Sequence, residues 1–325
     1  KNYLYSTNLF KHVKKEFACL IVLAVMVVSL APSVISTKEM SEKIRIGVVF
    51  KALDSEFWQT MKKGVDAESA KHPNLEIALL APKAETDIAQ QVEMIESLIT
   101  KRVDALLIAP SGSEEIIPTL KKAKKANIPV IILDTDTPWE GKVCFVGSNN
   151  VEGGKLAANF IVSRLNGKGK VAIITGVMGH ATHMDRLKGA KAVFEAEKGI
   201  EIVAVQPANS DRYQGMQVME NILVANPDLG GVFCTNDQMA LGALEALKST
   251  KKEKKIVLIG FDAVHEALRQ IKENSGLDAT ISQNPYLMGK RGVEVALRVL
   301  NGEKIPPEIN TGVKTVTIEN VDSFL

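Results

Sequence analysis

From Lys43 onward, short apolar runs alternate with stretches whose apolar residues recur at helical spacing. The runs are Ile44–Phe50, Leu75–Leu80, Ala105–Ala109, Val130–Leu133, Val143–Val146, Val171–Thr175, Ile200–Val205, Gly231–Cys234, Ile256–Gly260 and Ala279–Ser282. Between most of them lie amphipathic stretches such as Phe57–Lys71, Asp87–Thr100, Glu114–Ala126, Gly153–Arg164, Arg212–Ala225, Met239–Lys248 and Met288–Leu300. A strand that is apolar along its whole length is buried on both faces, and the intervening helices supply the cover. The alternation therefore predicts an α/β fold built on parallel sheets. About ten strands are too many for one comfortable doubly wound domain of this length, so two lobes are predicted. Gly147 permits a change of direction, and Asn149 or Asn150 can cap the helix that follows. Pro306 and Pro307 end the last helical stretch, and Val313–Ile318 is the last strand-like run.

The N-terminus breaks this pattern. Lys11, His12, Lys14 and Lys15 form a basic start, and Ala18–Ala31 is apolar. Val34 and Ser36 supply a small-residue cleavage site, so residues 1–36 are expected to be a signal peptide or an N-terminal membrane anchor. Counted through Ile35, the apolar run approaches the roughly 18 residues that span a bilayer. Cys19 lies at the start of that run, whereas lipidation needs a cysteine just after it. Cut or retained, this segment places residues 43–325 outside the cytoplasm, with anchoring through residues 18–35 as one form.

The 325 residues carry 46% hydrophobic and 24% charged side chains, ordinary globular values, with a net charge of +2. So balanced a charge gives no reason to expect a nucleic-acid partner. Cys144 and Cys234 are far apart and without metal-ligand spacing; both are read as small buried apolar residues. Lys248–Lys255 reads as a solvated turn. His180 and His183 make an HxxH pair with Asp185 nearby, but a metal site needs another well-placed ligand, so no metal is expected. Gly153, Gly154 and Lys155 lack the spacing and hydroxyl of a phosphate loop, and no GxSxG or HExxH occurs.

In open parallel sheets, ligands bind beyond the carboxyl ends of the strands. Lys51, Asp54, Ser55, Phe57 and Trp58 follow the first run, and Asp134, Thr135 and Asp136 follow the fourth. In the second half, Arg186 follows a glycine-bearing loop. Asn236 and Asp237 follow Val232–Cys234, Asp262 follows Ile259–Phe261, and Gln283 and Asn284 follow Ile281. The set holds carboxylates, amides, a guanidinium and two adjacent aromatics, and no obvious nucleophile. Carboxylates accept from hydroxyls, amides both donate and accept, and arginine donates in a fixed fork. Phe57 and Trp58 can cover an apolar ring face. A polyol fits this chemistry better than any catalytic template.

Several short motifs then line up. They are Phe57–Trp58, Ile128–Asp134 (IPVIILD), Asp211–Arg212, Cys234–Ala243 (CTNDQMALGA), Gly260–Asp262 (GFD) and Ala279–Pro285 (ATISQNP). In their order and spacing, residues 43–325 resemble the type I periplasmic sugar-binding proteins, near the ribose- and allose-binding members. The resemblance implies two Rossmann-like lobes joined by three hinge crossings near Ser148, Gln283 and Thr311. The N-terminal lobe would be 43–147 plus 284–311, and the C-terminal lobe 148–283 plus 312–325. It implies that Phe57 and Trp58 stack on the sugar, that Asp134, Arg186, Asn236, Asp262 and Gln283 hydrogen-bond its hydroxyls, and that Lys51 matches the allose-like members. Ser55 stands where the family usually has asparagine and Thr135 where ribose binders have arginine. Ala109 replaces a polar residue of ribose binders. Ser210 replaces an aromatic that usually covers the other ring face, a loss for which Trp139 or Tyr213 could compensate.

The expected function is extracytoplasmic binding of a monosaccharide or related polyol in an interlobe cleft. Delivery is expected to the membrane permease of an ABC importer, or alternatively to a membrane sensor kinase or chemotaxis receptor. No catalysis and no cofactor are expected, and the soluble part is read as monomeric. Asp134 and Asp262 as a glycosidase acid–base pair is the enzymatic alternative. The lac-repressor family shares this binding fold, but carries a DNA-reading head where this chain has an apolar leader.

Overall fold

The computed structural model describes residues 43–325. The expected export signal or anchor at 1–36 lies outside the described residues. Two six-stranded sheets organise the chain. The first takes β1 (Ile44–Val49), β2 (Leu75–Leu80), β3 (Ala105–Ile108), β4 (Val130–Leu133), β5 (Cys144–Gly147) and β11 (Glu308–Asn310), in the order β11-β5-β4-β3-β1-β2. The second takes β6 (Gly169–Thr175), β7 (Ile200–Pro207), β8 (Leu229–Cys234), β9 (Val257–Asp262), β10 (Ala279–Ser282) and β12 (Lys314–Thr317), in the order β12-β10-β9-β8-β6-β7. Every described pairing is parallel except β10 with β12. This is the two-lobed α/β architecture that the apolar runs predict.

Helices cover the sheets: α1 (Glu56–Ser69), α2 (Ile88–Thr100), α3 (Ile117–Lys125), α4 (Asn150–Arg164), α5 (Ala181–Ala196), α6 (Arg212–Ala225), α7 (Asp237–Ser249), α8 (His265–Lys272) and α9 (Pro285–Leu300). Strands β3, β4 and β5 are buried at every residue, as sandwiching between helical layers requires. Four helices start on a side-chain cap: Asn149, Asp211, Asn236 and Asn284 each accept a hydrogen bond from the backbone N–H three residues on. Each cap satisfies an N–H that the first helical turn leaves unpaired.

The chain passes between the sheets three times. It leaves the first after β5, returns after β10 to form α9, and crosses again between β11 and β12. Side chains tie these passages together. Ser148 Oγ lies 3.1 Å from Thr311 Oγ1 and donates to the Gly312 carbonyl at 3.1 Å. Thr311 Oγ1 donates to the Gly147 carbonyl, and Ser282 Oγ to the Lys314 carbonyl. Helices α4 and α5 touch through glycine: a Cβ on Gly154 would lie 2.0 Å from the Arg186 carbonyl oxygen, and one on Gly189 2.0 Å from that of Val151. Only hydrogen fits there, and the close approach fixes where α5 carries Arg186. No helix among the described residues is long and apolar enough to cross a membrane.

Candidate functional site

The carboxyl ends of both sheets face one interlobe cleft. At its centre Lys51, Phe57, Trp58, Asp134, Arg186, Asn236, Asp262 and Gln283 line a single small cavity, together with Glu85, Thr182 and His183. All eight side chains singled out in the sequence therefore converge. Lys51, Phe57, Trp58 and Asp134 follow strands of the first sheet. Asn236, Asp262 and Gln283 follow β8, β9 and β10 of the second, and Arg186 comes from α5.

On the first side, Lys51 Nζ donates to Asp134 Oδ2 at 2.9 Å and to Thr135 Oγ1 at 2.5 Å. Asp134 has a left-handed backbone, φ +61°, directly after β4. Aspartate tolerates that region better than most residues, and the turn aims its carboxylate along the strand end. Trp58 is wedged by Phe50, centroids 5.7 Å apart, and by the edge of Phe57 at 5.0 Å. Its indole N–H donates to Glu85 Oε1 at 2.9 Å.

On the second side, the Arg186 guanidinium is buried. Nε donates to Asn150 Oδ1 at 2.9 Å and Nη1 to the Thr235 carbonyl at 2.7 Å, while Cζ lies 3.7 Å from the Phe261 ring centroid. Asp262 Oδ1 is 3.6 Å from Arg186 Nη1 and accepts from Gln283 Nε2 at 2.7 Å. Burial pushes the Asp262 carboxyl up to about 7, against the opposing pull of Arg186 and Gln283. Gln283 Oε1 is buried without a hydrogen-bond partner, an acceptor open to a hydroxyl donor. Asn236 spends its Oδ1 on the Met239 N–H. Its Nδ2 reaches the Ser210 carbonyl only at the 3.5 Å limit, which leaves a donor for the cleft.

The lobes meet across the cavity. The hydroxyls of Thr135 and Thr182 are in contact, and Glu56 accepts from the His265 N–H at 2.9 Å. Two larger recesses flank the centre. One runs past Ser55, Glu85 and Ser210, and the other past Pro285 and Thr311 toward the crossings.

Two sequence expectations need correcting. Trp139 does not replace the aromatic missing at Ser210: it is buried in the core of the first lobe. Tyr213 does not either, since it is 62% exposed and does not line the cavity. Ser210 instead meets His183, Oγ to Nε2 at 2.9 Å. Arg186 is 3% exposed and turned to Asp262. Two further lining residues, Glu85 and Thr182, carry no signal in the sequence pattern. Glu85 lies in the loop after β2, and Thr182 opens a helix that the apolar pattern does not mark.

Comparison with known proteins agrees with this architecture. Residues 46–304 match the periplasmic binding protein domain family. The chain is 37% identical to the ribose import binding protein of Bacillus subtilis over 85% of its length and 88% of that protein's. It is 33% identical to the D-allose-binding periplasmic protein of Escherichia coli, over 80% and 86% of the two chains. An ABC transporter solute binding protein from Bacillus halodurans with bound myo-inositol superposes with a TM-score of 0.83 at 32% identity, covering 87% of this chain and 98% of that one. One from Actinobacillus succinogenes with bound D-allose gives 0.81 at 32%, covering 86% and 100%. The chain belongs to the periplasmic binding proteins, and within them to the type I sugar-binding group.

Proposed function

We propose that this protein binds a monosaccharide or cyclic polyol between its lobes, outside the cytoplasm, and delivers it to the permease of an ABC importer. The observation that carries the reading is the convergence of Lys51, Asp134 and Trp58 from one lobe with Arg186, Asn236, Asp262 and Gln283 from the other on one small cavity. Trp58 and Phe57 would pack on an apolar ring face, and the polar groups would exchange their mutual hydrogen bonds for hydroxyls. Because the contacts come from both lobes, the sugar adds free energy only to the closed arrangement and shifts the hinge equilibrium toward it. The hydroxyl-rich ligands named for the relatives support this class. Their import function favours a permease over a sensor kinase as the partner. The basic and then apolar N-terminal stretch would export the chain, and would anchor it if it is not cut.

The relatives named above are binding proteins, so no turnover is expected. A thermal-shift and calorimetric screen should include D-ribose, D-allose, D-arabinose and myo-inositol. A ligand of the folded state adds about 2.7 kcal/mol at a hundredfold excess over its Kd. Saturable binding of at least one such compound, recovered unchanged, is the expected result. Binding of none, or conversion to product, overturns the proposal.

A further inference from the structure

The HxxH pair lacks a third ligand in the sequence, and the fold brings one from the opposite lobe. Glu85, beyond β2, offers a carboxylate oxygen to His180 and His183, at the start of α5; one donor atom from each lies within 4.8 Å of the other two. His180 is 2% exposed, and neither of its ring nitrogens has a hydrogen-bond partner. A buried imidazole with two idle nitrogens aimed into a carboxylate–imidazole cluster calls for an occupant.

We propose that Glu85, His180 and His183 bind one divalent ion of the zinc class, bridging the two lobes beside the sugar cavity. Two imidazoles and a carboxylate suit zinc or its borderline neighbours, and leave a fourth position for water. The imidazole rings lie with centroids 6.3 Å apart and planes inclined by 22°. Glu85 is oriented by the Trp58 indole N–H. His183 meets the hydroxyls of Thr235 and Ser210 at its two nitrogens. One hydroxyl rotates away to free a lone pair, and the other keeps the ring in place, as partners of metal-bound histidines do. The cationic neighbours are themselves balanced: Lys51 pairs with Asp134, and Arg186 with Asp262. An ion held from both lobes stabilises the arrangement in which they meet.

The test is calorimetric titration of the chelator-treated full chain with zinc, repeated on His180→Ala and Glu85→Gln. One zinc per chain is expected, with affinity at least tenfold weaker in each variant. Absence of saturable binding, or affinity unchanged in both variants, overturns the proposal. A loss confined to His180→Ala removes Glu85 and with it the bridge. If the variants do not fold, X-ray absorption of the zinc-loaded wild type decides. Two imidazoles and a carboxylate support the site, and any other shell refutes it. In chelator, His180→Ala should still bind sugar, so failure of the sugar reading and failure of the metal site are seen separately.

Discussion

Lys51 and Asp134 form an ion pair inside the cleft, Nζ to Oδ2 at 2.9 Å, with their side chains only 2% and 3% exposed. Removing one member of a buried pair strands the other's charge, at a cost of about 3–5 kcal/mol. Asp134→Ala is therefore expected to lose stability in that range by denaturant unfolding. The apolar double variant Lys51→Met/Asp134→Leu should recover most of it, and should still fail to bind sugar in calorimetry. Recovery of sugar binding in the double variant would show that the pair only serves the fold.

Trp58 packs between Phe50 and Phe57 and donates to Glu85. Trp58→Phe keeps an aromatic face and loses the indole donor. It should bind sugar more tightly than Trp58→Ala, which also loses stacking of about 0.5–1.5 kcal/mol. Sugar titrations of the two variants, each checked for folding by its melting transition, give the order.

Most of the cleft was legible because strand ends are legible. An apolar run that stops at a polar residue marks both the end of a buried strand and the point where a side chain enters the cleft, as at Leu133–Asp134 and Phe261–Asp262. Helix α5 is not marked by apolar periodicity: its apolar residues do not gather on one face, and it meets α4 through backbone contact at glycines 154 and 189. Strand β11 carries no apolar run either, since Glu308–Asn310 is a three-residue edge strand with polar ends. The direction of Trp139 depends on packing in the first-lobe core, where a Cβ on Gly141 would touch its ring, and no local periodicity encodes that.

The same α4–α5 contact makes a prediction. Gly154→Ala puts a methyl 2.0 Å from the Arg186 carbonyl, so the helices must part. Overpacking of this kind costs about 1–3 kcal/mol. Because Arg186 rides on the displaced helix, sugar affinity should fall together with melting temperature. Lys155→Ala, at the half-exposed neighbouring position, should change neither.

Asp262 gives stability a pH dependence. Its carboxyl is raised to about 7 by burial, with Asp134 and Glu85 adding to the rise and Arg186 and Gln283 opposing it. Buried Asp237, itself raised, is coupled to it. Between the unfolded value of about 4 and about 7, the folded protein retains a proton that the unfolded chain has released. Stability contributed by this group is therefore full below that window and is lost as pH rises through it. Denaturant titrations across pH 4–8 (roughly the span of the two values) should show a steeper decline in wild type than in Asp262→Asn. Parallel curves would mean that folding does not raise the Asp262 carboxyl.

The most direct test is a crystal structure of the protein with the tightest-binding monosaccharide from the ligand screen. The sugar is expected in the central cavity, its ring against Trp58 and its hydroxyls bonded both to Asp134 of the first lobe and to Asn236 or Asp262 of the second. A sugar bound outside this cavity, or touching residues of one lobe alone, would contradict the account.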